Sequence, residues 1–274
     1  MMRCVKEMVL AGSSTIQKEV FMRFIHLSDL HFHRHPQDNT AIMTTLDVVK
    51  ERYPAHYVIL TGDIVDDGHE EQYKRAAEAL APFTGWIFIS PGNHDFGAAG
   101  TFYSRERAAR FDKFLSEPLQ QGGTFTGDAT PVVNIVQDNS DRVMLIALDT
   151  NLETDHPFDF SCGEVGEKQL AALDTILSSS APDLIKLLFF HHHPFMHNDP
   201  FMELKDARPL MRVIYRRVHL LLFGHKHVSR QWERRNGMQY ILAADNAPGK
   251  AYAREVIIEH GRMRVNDIPI SRER

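Results

Sequence analysis

The sequence predicts a single mixed α/β domain, and three observations carry that prediction. Through the first half, short apolar runs alternate with segments whose apolar positions recur at helical spacing. In the second half the apolar runs lie closer together, as hairpin-like pairs. No internal repeat, low-complexity segment or linker interrupts the 274 residues, and 43% of them are apolar, enough for one large core. Residues 22–274 form this domain. Residues 1–21 are expected to be a poorly ordered extension outside it, with Met22 a candidate natural start.

The first strand, Phe24-Ile25-His26-Leu27-Ser28, ends at Asp29-Leu30-His31, and a loop follows to Pro36. A helix is predicted from Thr40 to Arg52, with Met43, Leu46 and Val49 on one face. Tyr57-Val58-Ile59-Leu60 is apolar without alternation, as a strand covered on both faces should be. It ends at Thr61-Gly62-Asp63. Tyr73, Ala76, Ala77 and Leu80 fall at i, i+3, i+4 and i+7, the spacing of an amphipathic helix. The next strand, Trp86-Ile87-Phe88-Ile89, is broken near Pro91-Gly92 and followed at once by Asn93-His94-Asp95.

Gly97-Ala98-Ala99-Gly100 reads as a flexible turn, Ala108, Phe111 and Leu115 as a helix stripe, and residues 120–130 as a loop. Val132–Val136 and Val143–Leu148 are a strand pair ending at Asp149-Thr150-Asn151. A polar loop runs through Ser161. Leu170, Leu173 and Leu177 mark a helix. Ile185–Phe190 is a strand ending at His191-His192-His193-Pro194. A helix over 203–216 leads to the strand Val218–Phe223, which ends at Gly224-His225-Lys226-His227. Gln239–Ala243, Ala253–Glu259 and Met263–Ile268 complete the strands.

Composition narrows the function classes. Net charge is 31 − 36 = −5, so no overall basic field invites nucleic acid. No apolar run approaches the roughly 18 residues of a membrane-spanning helix, and Met8–Gly12 is too short for the apolar core of a signal peptide. Two cysteines, Cys4 and Cys162, cannot build a disulfide scaffold and fit a reducing compartment, which makes the cytoplasm the expected location. The unusual count is 16 histidines. Histidine is the commonest metal ligand and a near-neutral proton carrier.

Position separates a few of these histidines from the rest. Five strands end in groups able to bind metal: Asp29 and His31, Asp63, Asn93 and His94, His191, and His225 and His227. Carboxylate, amide and imidazole are the ligand set of borderline first-row ions, and neither cysteine lies among them, which argues against a thiolate zinc site. In Asp29-x-His31 and His225-x-His227, residues two apart converge if the backbone is extended. Gly62 permits close backbone approach before Asp63. One D-x-H or H-x-H is weak; five strand ends in one chain are not.

The order Asp29-x-His31, Gly62-Asp63, Gly92-Asn93-His94-Asp95, His191 and Gly224-His225-x-His227 resembles the calcineurin-like metallophosphoesterase superfamily over residues 22–244. Ser28-Asp29-Leu30-His31 and the His-His-His-Pro run look like its bacterial cyclic-nucleotide phosphodiesterase branch. The resemblance implies a four-layer α/β-β/α sandwich of two mixed sheets flanked by helices. It implies two divalent or trivalent metal ions (Mn, Fe, Zn or Co), one held by Asp29, His31, Asp63 and His227, the other by Asp63, Asn93, His191 and His225. Asp63 would bridge them. Among the adjacent histidines the first after the strand matches the family ligand, which selects His191, with His192 the fallback.

The expected reaction is hydrolysis of a small phosphodiester, with cyclic nucleotide the leading substrate, by a hydroxide shared between the ions. His94 would stabilise or protonate the leaving oxygen, and Asp95 would hold its imidazole. A phosphomonoester, a phospholipid head group or a nucleic-acid end are the alternatives, and a non-catalytic scaffold the remote one. His26, inside a strand, reads as a core histidine. His33, His35, His69, His197 and Asn151 are weaker candidates for substrate or phosphate contact. Arg105, Arg107 and Arg230, Arg234, Arg235 read as solvated faces, and Phe102 and Tyr103 as packing residues or a lid.

Overall fold

The computed structural model describes residues 7–9, 21–127, 129–151, 156, 161–195 and 202–272, with backbone alone for 7–9. Fourteen strands are named in chain order. They are β1 (Glu7–Val9), β2 (Met22–Leu27), β3 (Tyr57–Thr61), β4 (Ile87–Ser90), β5 (Gly97–Ala98), β6 (Phe102–Tyr103), β7 (Val132–Gln137), β8 (Arg142–Ala147), β9 (Ile185–Phe189), β10 (Leu220–Phe223), β11 (Arg230–Glu233), β12 (Tyr240–Ala243), β13 (Tyr252–Glu259) and β14 (Arg262–Pro269). The helices are α1 (Thr40–Arg52), α2 (Glu70–Leu80), the single turn α3 (Asn93–Phe96), α4 (Arg105–Phe111), α5 (Glu167–Ser179) and α6 (Ala207–Ile214).

Two mixed sheets pack face to face. One has five strands in the order β14-β13-β2-β3-β4, the other seven in the order β1-β7-β8-β9-β10-β12-β11. Strand alternation assigns the faces. Leu187, Phe189 and Leu222 share one face of their sheet and join the large core that takes in Ile25, Ile59 and Leu60 of the five-stranded sheet, Leu46 of α1 and Tyr73 of α2. Leu188, Leu221 and Phe223 turn the other way and pack on Leu173 of α5 and Leu210 of α6. This is the expected four-layer sandwich of two mixed sheets between helices.

The differences from the sequence reading have local causes. Glu7–Val9 runs parallel to β7 as an edge strand, so three residues of the stretch placed outside the domain pair with it. β11 carries Arg, Gln, Trp and Glu and has no apolar run to betray it. It is a polar edge strand antiparallel to β12, the composition that protects an edge from further pairing. The turn at residues 97–100 joins the short hairpin β5–β6. Leu115 sits on a π-helical continuation of α4, Asp112–Ser116. α6 is shorter than the predicted 203–216 because Asp206 turns its carboxylate back to accept Val165 N (3.0 Å) and Gly166 N (2.9 Å).

Candidate metal centre

β2, β3 and β4 lie side by side and parallel, so their C-terminal ends emerge together. β9 and β10 are likewise parallel neighbours, but in the other sheet. The candidate site forms where these two sets of strand ends meet, outside the carboxyl ends of the strands as open α/β sheets place their sites.

The loops that leave the strands are stitched to each other through their backbones. Asp29 N donates to Gly62 O (3.1 Å) and His31 N to Asp63 O (2.9 Å). Across the seam between sheets, His191 Nδ1 faces Thr61 O at 2.8 Å, and His225 N donates to Asp29 Oδ2 (3.3 Å). Two glycines allow these approaches. A Cβ on Gly92 would lie 2.2 Å from Asp63 Oδ1, and one on Gly224 only 1.9 Å from Ser28 Oγ.

Three clusters result, one of them His31, Asp66 and His94. Asp29, His31 and His227 bring one ligand atom each to within 4.8 Å of one another, and so do Asp63, His191 and His225. His227 Nε2 is 3.1 Å from Asp29 Oδ1, His191 Nε2 is 3.1 Å from Asp63 Oδ2, and His31 Nε2 is 3.8 Å from the same Asp63 oxygen. Asp63 thus belongs to the cluster of His191 and His225 and also faces His31 of the Asp29 cluster. The structure brings together Asp29, His31, Asp63, His191, His225 and His227, which the sequence reading singled out as candidate ligands. His192 turns away from Asp63, with its Nδ1 against Thr150 Oγ1 at 2.8 Å.

The convergence is achieved differently from the sequence argument. Asp29, His31, Asp63, His225 and His227 have φ of 54°, 53°, 48°, 76° and 50°. None is extended; all five occupy the left-handed region that side chains other than glycine seldom adopt. Each D-x-H and H-x-H pair therefore converges through a tight turn, and the surrounding packing sustains the strain, as is common at functional sites.

The residues present fit bound cations. Asn93 Nδ2 donates to Gly100 O (2.8 Å), while its buried Oδ1 has no hydrogen-bond partner. Neither ring nitrogen of His31 has one, nor does His225 Nε2. His191 Nε2 faces both the Asp63 carboxylate and, at 3.1 Å, His225 Nδ1. With His191 Nδ1 donating to Thr61 O, that nitrogen presents a lone pair, so acceptors converge where a cation would satisfy them. Burial would lower the His191 pKa, but the Asp63 carboxylate outweighs it and raises it to about 9.

His94 lies beside these groups, half-buried: its N donates to Asp63 Oδ1 (2.9 Å) and its Nδ1 faces Asp66 O at 2.7 Å. A carbonyl can only accept, so Nδ1 carries the proton and Nε2 is left for chemistry. Burial would lower the His94 pKa, yet the Asp63 charge and the Asp66 carbonyl raise it above the ordinary histidine value.

Asp95 does not hold His94, contrary to expectation. Its Oδ1 accepts Val65 N and its Oδ2 accepts Gly92 N, both at 2.8 Å. The side chain is fully buried and ties the loop after β3 to the loop after β4. Burial, then the Asp63 charge, push its pKa up to about 7 against the pull of those backbone donors. The partner of His94 is the Asp66 carbonyl, which a sequence cannot advertise because every residue has one. The Asp66 side chain lies 3.6 Å from His31 Nδ1, and the only sequence signal for it is its place three residues after Asp63.

Among the weaker candidates, His26 is buried with Nε2 on Thr61 Oγ1 (3.0 Å), a core histidine as expected. Asn151 hydrogen-bonds to Asp149 Oδ1 (2.8 Å), and its buried Oδ1 lacks a partner. His33 and His35 line an open groove of about 470 Å³ beside His94, together with Arg34, Asp66 and Asp67. His197 lies outside the described residues. No helix among the described residues is long and apolar enough to cross a membrane.

The family described as calcineurin-like phosphoesterase matches residues 22–229. The chain is similar to 3′,5′-cyclic adenosine monophosphate phosphodiesterase CpdA of Haemophilus influenzae, 24% identical over 202 residues, which cover 71% of this chain and 62% of that protein. It therefore spans under two thirds of the length of that relative. CpdA of Escherichia coli K12 is 26% identical over 222 residues, 76% of this chain and 70% of the relative. A probable cyclic nucleotide phosphodiesterase of Rhodopseudomonas palustris is 28% identical over 220 residues, 75% and 72% of the two chains. Among solved structures, a dimetal phosphatase from Danio rerio superposes with a TM-score of 0.65 at 16% identity, covering 91% of this chain and 96% of the other. GAP50, the anchor in the inner membrane complex of Plasmodium, superposes with a TM-score of 0.56 at 11% identity, covering 92% and 85%. Those structural likenesses speak to the fold; function is read from the site.

Proposed function

This chain belongs to the calcineurin-like phosphoesterase family, and from that premise we propose that it is a phosphoric ester hydrolase that cleaves a small phosphodiester, a cyclic nucleotide first among them, at a dinuclear metal centre. The observation that carries the reading is the meeting of two clusters, Asp29/His31/His227 and Asp63/His191/His225, at Asp63, whose Oδ2 lies 3.1 Å from His191 Nε2 and 3.8 Å from His31 Nε2. The unpartnered Asn93 Oδ1 supports the second set. The diester and cyclic-nucleotide part rests on the relatives named above, and the ion identities remain those an N/O ligand set accepts, Mn, Fe, Zn or Co.

Asp29, His31, Asp63 and His227 would hold one ion, and Asp63, Asn93, His191 and His225 the other. Bound there, such ions supply charge neutralisation for the phosphoryl oxygens and lower the pKa of water. The chain's own residues do the rest. Asp66 O fixes the His94 ring with Nδ1 as donor, which leaves Nε2 available, and the ring lines the groove. The raised His94 pKa favours the imidazolium, whose Nε2 proton would pass to the departing alkoxide. Asp95 keeps the Val65 and Gly92 loops in register, so that Asp63 and Asn93 stay aligned. The groove beside His94 receives the leaving group. The two cysteines support a reducing compartment, the cytoplasm, as the proposed location.

The test is a substrate panel with added Mn²⁺: bis-aryl phosphate, aryl monophosphate, cyclic nucleotides, dinucleotides and glycerophosphodiesters. Turnover of cyclic nucleotides above the monoester is the expected result. Monoester turnover far above that of every diester would overturn the diester reading.

A further inference from the structure

The mechanism above leaves one charged cluster unused, and it adjoins the site. Asp67 follows Asp66, and its carboxylate gathers four donors from four segments. Oδ1 accepts Ala99 N at 2.9 Å and Arg107 Nη1 at 2.9 Å. Oδ2 accepts Arg34 Nη2 at 3.0 Å and lies 3.2 Å from His69 Nε2. Two guanidiniums from distant parts of the chain thus hold one carboxylate, and that carboxylate holds a turn.

The turn matters because of what it touches. Ala99 and Gly100 are both left-handed, with φ of 50° and 64°. For alanine that conformation is strained, and the Ala99 N–H bond to Asp67 is what fixes it. Gly100 O then accepts Asn93 Nδ2 (2.8 Å), which decides that the amide oxygen and not its nitrogen faces the ligand cluster. The same turn packs on the His94 ring, since a Cβ on Gly100 would lie 2.5 Å from His94 Nε2. On its other side Asp67 shares a peptide unit with the Asp66 carbonyl that accepts from His94.

We propose that Asp67 is a positioning residue for this site: clamped by Arg34 and Arg107, it orients the Asn93 amide through the Ala99–Gly100 turn and the His94 imidazole through the Asp66 carbonyl. The inference rests on the reading of Asn93 and His94 given under Proposed function. It separates two effects that a merely structural residue would not separate. Loosening the turn lets the Asn93 amide rotate, which weakens only the ion that Asn93 would hold. Loosening the Asp66 carbonyl misplaces a proton donor, which harms only substrates whose leaving group needs a proton.

The experiment compares the full chain with Asp67→Ala and Asp67→Asn. Mn²⁺ is titrated calorimetrically into metal-stripped protein, and turnover is measured for bis(p-nitrophenyl) phosphate and for a cyclic nucleotide. Asp67→Ala is expected to weaken one of two binding steps by about 10–100-fold and leave the other unchanged. Its kcat on the cyclic nucleotide, whose leaving group is an alkoxide, should fall by about 10²-fold, and that on the aryl diester by a few-fold at most. Asp67→Asn keeps an acceptor for Ala99 N and should fall between Asp67→Ala and the unaltered chain in both assays. Equal losses on both substrates, or two binding steps unchanged in Asp67→Ala, would overturn the proposal. Failure of the unaltered chain to hydrolyse either diester would sink the proposed function instead, and the binding steps would then decide the role of Asp67 by themselves.

Discussion

His191 Nε2 and Asp63 Oδ2 lie 3.1 Å apart, although they belong to strand ends of different sheets. The contact joins the two halves of the ligand set. Thr61 O fixes the histidine ring from behind at 2.8 Å, and His94 N fixes the carboxylate at its other oxygen. Asp63 therefore has little freedom to adapt if its chemistry changes.

Asp63→Asn should accordingly lose bound metal, not only activity. The amide would offer one acceptor where the carboxylate offers two, and would add a donor facing His191. The expected result is loss of at least one of two ions, with activity down by about 10²-fold or more, the upper end of effects on metal-site residues. Elemental analysis of purified protein beside turnover checks it. Full metal content in the variant would contradict the bridging role.

His94→Ala gives the complementary pattern. The ring makes no part of either cluster that meets at Asp63, so metal content should stay at the level of the unaltered chain. Turnover of an alkoxide-leaving diester should fall by about 10²–10⁴-fold. Unchanged turnover would remove His94 from the mechanism.

Asp95→Asn tests the corrected role of that residue. The variant would place an amide N–H against either Val65 N or Gly92 N, leaving a buried donor without an acceptor. A loss of about 1–3 kcal/mol in urea unfolding is expected. Catalysis per folded molecule should change only a few-fold. A loss as large as that of His94→Ala, with stability unaltered, would instead restore Asp95 as the partner of His94.

His26 gives the protein a pH dependence of known sign. Burial, with the Arg254 charge and against the pull of Asp29, lowers its pKa from 6.5 to about 3. The unfolded chain therefore binds this proton more readily. Stability is full above about pH 6.5 and is lost as pH falls from there towards 3, at up to about 1.4 kcal/mol per pH unit. Between pH 7 and pH 5 the contribution is about 2 kcal/mol. Bound cations nearby would depress the pKa further, so the sign holds with metal. Urea unfolding of the unaltered chain and His26→Gln at the two pH values checks it, since the glutamine variant should lose that much less on acidification. Identical pH slopes would refute it.

The strand ends were legible because covered strands are written as continuous apolar runs, and Val58-Ile59-Leu60 or Leu187-Leu188-Phe189 cannot be mistaken for surface. The polar residues that interrupt those runs then stand out as the groups a site would use. β11 escaped notice for the converse reason, since an edge strand faces water and needs no apolar run.

Residue types and their order thus determined the family, the layers and which side chains could bind metal. The tertiary structure decided how they meet. Asp29, Asp63 and Asn93 come from one sheet and His191, His225 and His227 from the other, and only packing of the two brings them together. Left-handed backbone at five candidate ligands, and not extended strands, aims the side chains inward. The Asp66 carbonyl, and not the Asp95 carboxylate, holds His94. Each of these depends on backbone geometry and backbone polar groups, which all residues share and which therefore leave no mark on residue identity.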